Sequence, residues 1–500
     1  MIADRKTMRN SLKETMNHLT VLVDTYYLTD NLQLNQLLRW SNDCYNEAMY
    51  LVRQRYFKNC RIFKHELWLY KRGILTDPPK FGKNYTLSEL SKVIHLQSEQ
   101  GQNTLYRDCV NKKIINSVIR NVLNNWSNYF KAKSDFKRHP HKYLAAPKIP
   151  GYLKSGKRHS TELDTQTIKI HGNYIVYDKL GLKVRMSPYL QEAVYGNSND
   201  PWLNKLSNKQ RIRNYWLKPL THGAKLCVSY VVSSKPLTSY KGKRVPDRIP
   251  GIVVSADPGV DNLMALVTNN FRFHPLIING KGIKSVNHFY NKQKAYLQRR
   301  VGQLKQNEIL VHKKDGTSQM ICLTGQRCQH LTEWRNNKIL TAIHKATDRI
   351  LEYAINCGAE KIIVGRNKYW KQKSKMSKKN NQNFVSVPHF RVVQILKYKA
   401  SRYGIIVETQ PEAYTSQTSF LDHEMPVWNN GNKARNKFHK SPINRRIHRG
   451  LFETNNGLLI NADVNGAYQI MIKNQVFCDW SNPEQVIGCV LHPVKWSPRF

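Results

Sequence analysis

The spacing of hydrophobic and polar positions divides the chain before any other property is considered. Alternation at 18–23 (His-Leu-Thr-Val-Leu-Val) predicts a strand. Apolar residues then recur at helical spacing. Leu34, Leu37, Leu38, Tyr45, Ala48, Val52 and Tyr56 mark one helix; Ile115, Val118, Ile119, Val122, Trp126, Tyr129 and Phe130 mark another. Their aromatic members read as core rather than as platforms for bases. Lys137-Arg-His-Pro-His-Lys142 and Pro147-Lys-Ile-Pro-Gly151 break the period. Strands return at 167–177, a hairpin turning at His171-Gly172-Asn173, and again at 182–186 and 226–232. The strand at 18–23 completes this β module, so residues 30–145 are expected as a helical bundle inserted into a β-barrel. A Pro- and Lys-rich linker is expected at 235–250.

From 251 the pattern changes again. Strands at 252–257, 263–268 and about 272–279 precede a basic helix at about 285–310. A second helix carries Ile339, Leu340, Ile343, Ala346, Ile350, Leu351, Ala354 and Ile355 and stops near Gly358. A strand at 361–365, a helix from Pro388 to Gly404 and a strand at 405–408 follow. After a polar insertion comes a last helix with Val464, Ala467, Ile470 and Met471 on one side. The order βββαβαβα is that of an RNase H-like nuclease fold, whose metal-binding carboxylates collect at strand ends. The expected class is multidomain α+β: an RNase H-like domain preceded by the barrel and its helical insert.

Charge adds a partner to this picture. Lys+Arg 80 against Asp+Glu 34 leaves a net charge of +46. Such an excess repels itself unless a polyanion neutralises it, which points to an extensive, salt-sensitive nucleic-acid contact. No apolar run approaches the ~18 residues of a membrane span, so no membrane partner is expected. The nine cysteines lack framework spacing and read as reduced thiols. Cys322, Cys328 and His330 lie near one another but supply too few ligands for zinc.

The chemistry begins at Asp257, in Gly251-Ile-Val-Val-Ser-Ala-Asp257-Pro-Gly259. Pro258 keeps Asp257 extended, and Gly259 lets the chain reverse, leaving a carboxylate at the edge of a sheet. Cutting a phosphodiester needs an activated water and a stabilised leaving oxygen, the work of two metal ions held by several carboxylates. Asp463, in Asn461-Ala-Asp-Val-Asn-Gly-Ala467, supplies an acid at the start of the last helix, where a plain helix cap is the alternative role. No acid stands between Lys361 and Val407, so the end of the fourth strand is empty of one. The remaining candidates are Glu408, within the next strand, and Glu412, just past it. That strand lies two ladder steps, ~10 Å, from the first. A residue on the loop can fold back over the sheet edge and one inside the strand cannot, which favours Glu412.

Ser255-Ala-Asp257-Pro-Gly-Val-Asp-Asn-Leu263, Glu412-Ala-Tyr-Thr-Ser-Gln-Thr-Ser-Phe-Leu-Asp422 and Arg449-Gly-Leu-Phe452 with Asn461-Ala-Asp463-Val-Asn-Gly-Ala467 resemble the three RuvC motifs of the TnpB family. These are transposon-encoded RNA-guided nucleases related to Fanzor proteins and type V CRISPR effectors. Val364-Gly-Arg-Asn-Lys-Tyr-Trp-Lys-Gln372, Asn381-Gln-Asn-Phe384 and Pro388-His389 are similar to the subgroup whose middle glutamate has moved to Glu-x-Tyr-Thr-Ser. The resemblance implies Asp257, Glu412 and Asp463 as catalytic, metal-binding acids, with two Mg²⁺ ions (Mn²⁺ able to substitute). It implies a wedge barrel at 1–29 and 146–250, a helical recognition domain at 30–145, and a nuclease domain at 251–414 and 461–500. The implied activity is RNA-guided cleavage of double-stranded DNA beside a short adjacent motif, leaving 5′-phosphate and 3′-hydroxyl ends, with an omega-type guide RNA as partner and no obligate protein partner.

Many relatives carry a zinc finger after Tyr-Thr-Ser, but 415–460 contains no cysteine, so a basic insertion without zinc is expected. Lys433, Arg435, Arg445, Arg446 and Arg449 in that insertion, and Arg366, Lys368, Lys371 and Lys373 in the basic stretch 366–379, are the expected nucleic-acid contacts. The site of action is the cytoplasm and nucleoid in a bacterium, or the nucleus in a eukaryote or its virus. A guided DNA-binding protein that does not cut, or an unguided transposase or resolvase, is the alternative.

Overall fold

The computed structural model describes residues 19–109, 112–163, 168–196, 200–221, 223–259, 261–302, 308–312, 318–322, 325–366, 387–412, 415–416, 418–425, 446–448 and 450–499. Met1–Ser234 forms one compact unit and Lys235–Phe500 a second.

In the first unit, β1 (Leu19–Leu28) pairs antiparallel along its whole length with β7 (Ala224–Ser233). Strands β6 (Ile212–Pro219) and β2 (Thr161–Leu163) continue the sheet in the order β1-β7-β6-β2. A separate sheet holds β3 (Lys169–His171), β4 (Tyr174–Tyr177) and β5 (Leu182–Arg185). Among the described residues these pairings leave two open sheets where a closed barrel was expected. The four-stranded sheet ends at β2, only three residues long, and no ladder joins it back to β1.

Helices α1 (Leu32–Lys71), α2 (Leu87–Glu99) and α3 (Lys112–Arg138) lie in the chain between β1 and β2. Asn31 starts α1 by accepting from the Leu34 N–H at 2.7 Å, and Thr86 and Glu89 form a capping box on α2. The insertion is topological only. Leu38, Met49 and Val52 of α1, Ile115 and Val122 of α3, and Tyr215 and Val228 of the sheet share one hydrophobic core. Trp126 sits at its centre, 2% exposed, donating its indole N–H to Met49 Sδ at 3.3 Å.

The second unit is built on one sheet. Its order is β16 (Ile406–Gln410), β15 (Lys361–Gly365), β10 (Val253–Asp257), β11 (Asn262–Thr268), β12 (Leu276–Asn279) and β19 (Val494–Trp496). The strands β10, β11 and β12 are antiparallel neighbours, and β15 and β16 join parallel on one side. Side chains alternate between faces with the strand period. Met264, Leu266 and Ile278 face α6 (Gln326–Asn356) and α7 (His389–Ser401) in one core. Ala265, Val267 and Ile277 face α8 (Ala462–Lys473) and α9 (Pro483–Leu491) in another.

Two expectations change. Residues 235–250 are no linker between units: Leu237 N–H donates to Arg402 O at 2.7 Å, Ile249 N–H to Gly358 O at 2.9 Å, and Tyr240 OH to Asp348 O at 3.1 Å, all within the second unit. The basic helix, α5, spans Lys281–Gly302 and so starts earlier than expected. Past α9, β19 pairs parallel with β12 and covers the far edge of the sheet. Among the described residues no helix is long and apolar enough to cross a membrane.

Trp126→Ala is expected to cost about 3–5 kcal/mol, the usual range for a buried aromatic. Urea unfolding followed by circular dichroism measures it, and a cost below about 1 kcal/mol would count against one shared core.

Candidate active site

The acids named from the sequence lie at the carboxyl edge of the central strands. Strand β10 is buried from Val253 to Ala256 and opens at Asp257. Its neighbour β15 runs parallel with Ala256 opposite Val364, so Gly365 is the next residue beside Asp257. Gly365 in turn pairs with Gln410 of β16. Asp257, Gly365 and Gln410 therefore form a row across three strands, on the face that α8 covers.

Glu412 lies two residues past β16. Its carbonyl accepts from Thr415 N–H at 3.3 Å and from Thr415 Oγ1 at 2.8 Å, which folds the chain back over the sheet edge. Further along this stretch, Asn465 of α8 accepts from Phe420 N–H at 2.9 Å and donates to Thr418 O at 2.7 Å. The Phe420 ring stacks on Tyr468 at 4.2 Å. The Thr/Ser run after Glu412 is thus structural, and it ties that loop to α8.

The fold makes room for the Glu412 carboxylate by omitting a side chain. A Cβ built on Gly365 would stand 2.8 Å from Glu412 Oε2 and 2.5 Å from Ile470 Cδ1. A Cβ on Gly466 would stand 2.7 Å from Asp257 Oδ2. Asp463, Gly466, Ile470 and Lys473 recur every three or four residues, so α8 turns one face along the whole row. Glu408 is placed differently. It pairs with Ile363, two residues below the edge, and meets Lys361 at 3.4 Å in a partly exposed ion pair.

Asp463 is not the helix cap. Asn461 is: its side chain accepts from the N–H groups of Asp463 at 3.1 Å and Val464 at 3.2 Å. The Asp463 carboxylate is left for other partners. Asn262 Nδ2 donates to it at 2.7 Å, and Arg446 stands 4.0 Å away. Arg446, expected as a phosphate contact, lies here beside an acid. Arg366 is exposed, its guanidinium over the Phe390 ring at 5.0 Å. Lys368, Lys371, Lys373, Lys433, Arg435, Arg445 and Arg449 lie outside the described residues.

The site is electrostatically strained. Burial first, then the neighbouring Glu412 and Asp463, push the Asp257 carboxyl well above the usual range, with Arg446 pulling it back. Burial pushes Glu412 up to about 7, and the Lys473 ammonium opposes that shift. Lys473 is itself buried, 6% exposed, and burial lowers its pKa while Glu412 raises it. Among the described residues no three His, Cys, Asp or Glu side chains are gathered tightly enough to enclose one ion. Asp257 instead couples to each of the other two acids. An all-oxygen set of this kind suits a hard cation held by one or two carboxylates, with water and phosphate oxygens filling its other positions.

Asn262, Gly365, Gly466 and Lys473 are members of the site that sequence reasoning passed over. Asn262 and Gly466 stand inside the quoted motifs, and their roles needed contacts to be seen. Gly365 fills the expected place of the missing acid, which was a visible signal. Lys473 had none.

Comparison with known proteins bears on the same segment. Residues 389–470 match the Cas12f1-like, TNB domain family. The match contains both Glu412 and Asp463. Among solved structures, the chain is similar to a "Cas12f1-sgRNA-target DNA complex" at 14% identity, covering 87% of this chain and 81% of that one with a TM-score of 0.42. A "CRISPR-Cas12f Ternary Complex" matches at 15% identity over 87% and 80%, with a TM-score of 0.30. At these scores neither structure places a residue here. No curated protein matches the chain.

Two outcomes follow from the geometry. A carboxyl raised in the folded state keeps its proton longer than in the unfolded chain, so folding loses stability as pH rises. In chelator, the melting temperature should therefore fall between about pH 4.5 and 7 through Glu412, and Glu412→Gln should flatten that fall. A slope unchanged in the variant would contradict the burial of this carboxyl. Gly365→Ala should fold, because the two atoms it meets below 3 Å are the far ends of the Ile470 and Glu412 side chains, yet it should displace Glu412. The rise in melting temperature on adding Mg²⁺ should then be smaller than in the wild type; an equal rise would show that Glu412 does not need this space.

Proposed function

We propose that this protein is an RNA-guided DNA endonuclease of the TnpB kind, cutting target DNA beside a short adjacent motif. The observation that carries the reading is the meeting of three acids from three elements, β10, the loop after β16 and the first turn of α8, at one sheet edge. The Cas12f1-like domain match over two of those acids and the large positive charge support it.

In this reading Asp257, Glu412 and Asp463 hold two Mg²⁺ ions, for which Mn²⁺ can substitute. When bound, such ions activate the attacking water and stabilise the leaving 3′ oxygen. The chain's own contribution is to fix the acids. Asn262 orients Asp463. Gly365 and Gly466 let the carboxylates of Glu412 and Asp257 approach the backbone. The helix start favours negative charge at Asp463. Lys473 offsets the charge of Glu412, and Arg446 that of Asp463. Sequence specificity comes from base pairing between a bound guide RNA and the target strand, while the basic surface holds the backbones. A transposable element is the proposed genetic setting.

The test is plasmid cleavage in Mg²⁺ by protein purified with its co-expressed RNA. Asp257→Ala, Glu412→Ala and Asp463→Ala should each abolish cutting and leave target binding intact, whereas Glu408→Ala should still cut. A wild type that binds guided target and never cuts in any divalent metal would replace this reading with that of a guided repressor. A wild type that cuts without RNA would point to an unguided nuclease.

A further inference from the structure

Beyond Tyr56, α1 takes little share in the core: Cys60 packs against it and the Phe63 ring meets Phe81 at 5.7 Å. Its buried positions end at Tyr56, and from Phe57 to Lys71 every residue is exposed or half-buried. A surface helix ordinarily runs as far as its apolar stripe has something to cover. This one continues for about four more turns.

The extension has an ordered face. Lys58, Arg61, His65, Trp68 and Arg72 follow one another at spacings of three and four, so they line up along about 21 Å of helix. All five are exposed. Trp68 is 48% exposed, with the Arg72 guanidinium 4.0 Å from its ring centre and the His65 ring nearly parallel at 6.2 Å. Glu66 is the one acid between positions 57 and 72.

Charge complementarity selects the occupant. A merely solvated face gains nothing from an exposed indole, and a row of cations needs an anionic partner. Cations interleaved with a flat ring match a nucleic-acid strand, whose phosphates take the cations and whose bases stack. We propose that the face from Lys58 to Arg72 binds single-stranded nucleic acid, Trp68 stacking on an unpaired or terminal base while Lys58 and Arg61 hold phosphates. This rests on the reading of the chain as nucleic-acid-bound and is independent of whether it cuts.

The test uses the full chain, washed free of its own RNA in high salt and titrated with a fluorescein-labelled single-stranded RNA over a range of salt. Trp68→Ala should weaken binding about tenfold to a hundredfold, the usual worth of one stacked base, with the salt dependence unchanged. Lys58→Ala combined with Arg61→Ala should lower the slope of log affinity against log salt by about 1.4, two phosphate contacts on a single strand. A photo-crosslinking amino acid in place of Trp68 should crosslink to the RNA. Wild-type affinity in Trp68→Ala overturns the proposal, as does a crosslink to protein alone. If the wild type itself fails to bind RNA, the nucleic-acid reading falls as well, so the two failures are told apart.

Discussion

The second unit depends on holding like charges together at the end of a buried strand. Asp257 ends β10 in the middle of a six-stranded sheet, and its closest electrostatic company is two other carboxylates. Taking carboxylates out of water while setting them beside one another disfavours their charged forms twice over. The surrounding structure reads as the means of tolerating this. Strand pairing on both sides fixes the backbone of β10, so Asp257 cannot relax by moving the chain. The positive end of the α8 dipole favours an anion there, and Asn461 takes over capping so that Asp463 need not.

Space, as much as charge, sets where the acids stand. Two glycines bring side chain against backbone at the same edge, one beneath Glu412 and one beneath Asp257. Gly365 is the more telling. It occupies the last residue of β15, directly beside Asp257 in the sheet, where an acid would have the shortest reach. Without a side chain there, the space passes to a residue arriving from the next strand's loop. The loop can deliver it because Thr415 closes a turn on Glu412 and because Asn465 anchors the following stretch to α8. Position 365 and position 412 thus address one volume, which holds one of them.

The elements of the second unit were legible because their hydrophobic periods are long and clean. Strand 361–365 and the helices carrying Ile343 and Ile470 followed from spacing alone. The tail strand at Val494–Trp496 was not legible: three residues with two exposed carry no period, and only pairing with β12 makes them a strand. The expected barrel is not seen among the described strands, for a related reason. Alternation identifies a strand but not its neighbours, and whether a sheet closes depends on pairings between distant segments. Asp257, Glu412 and Asp463 were named because the strand order and the rarity of acids in so basic a chain leave few places for one, with none between Lys361 and Val407. Asn262 and Lys473 were not, since an Asn at a strand start and a Lys at a helix end are ordinary until contacts give them a partner.

That rarity also bears on what the acids are for. With 80 cationic side chains against 34 acidic ones, a carboxylate in this chain finds an ion-pair partner easily. Asp348 meets Lys399 at 2.6 Å, Glu352 meets Arg349 at 2.9 Å, and Glu408 meets Lys361 at 3.4 Å. Asp257 departs from that habit, because the charges felt most strongly around it are negative and Arg446 contributes least. A structural acid in a basic protein gains by pairing. An acid kept among acids, with cations abundant nearby, gains only if a cation is brought to it. The proposed function supplies that cation: a ligand of positive charge, small enough to sit among carboxylates at a sheet edge.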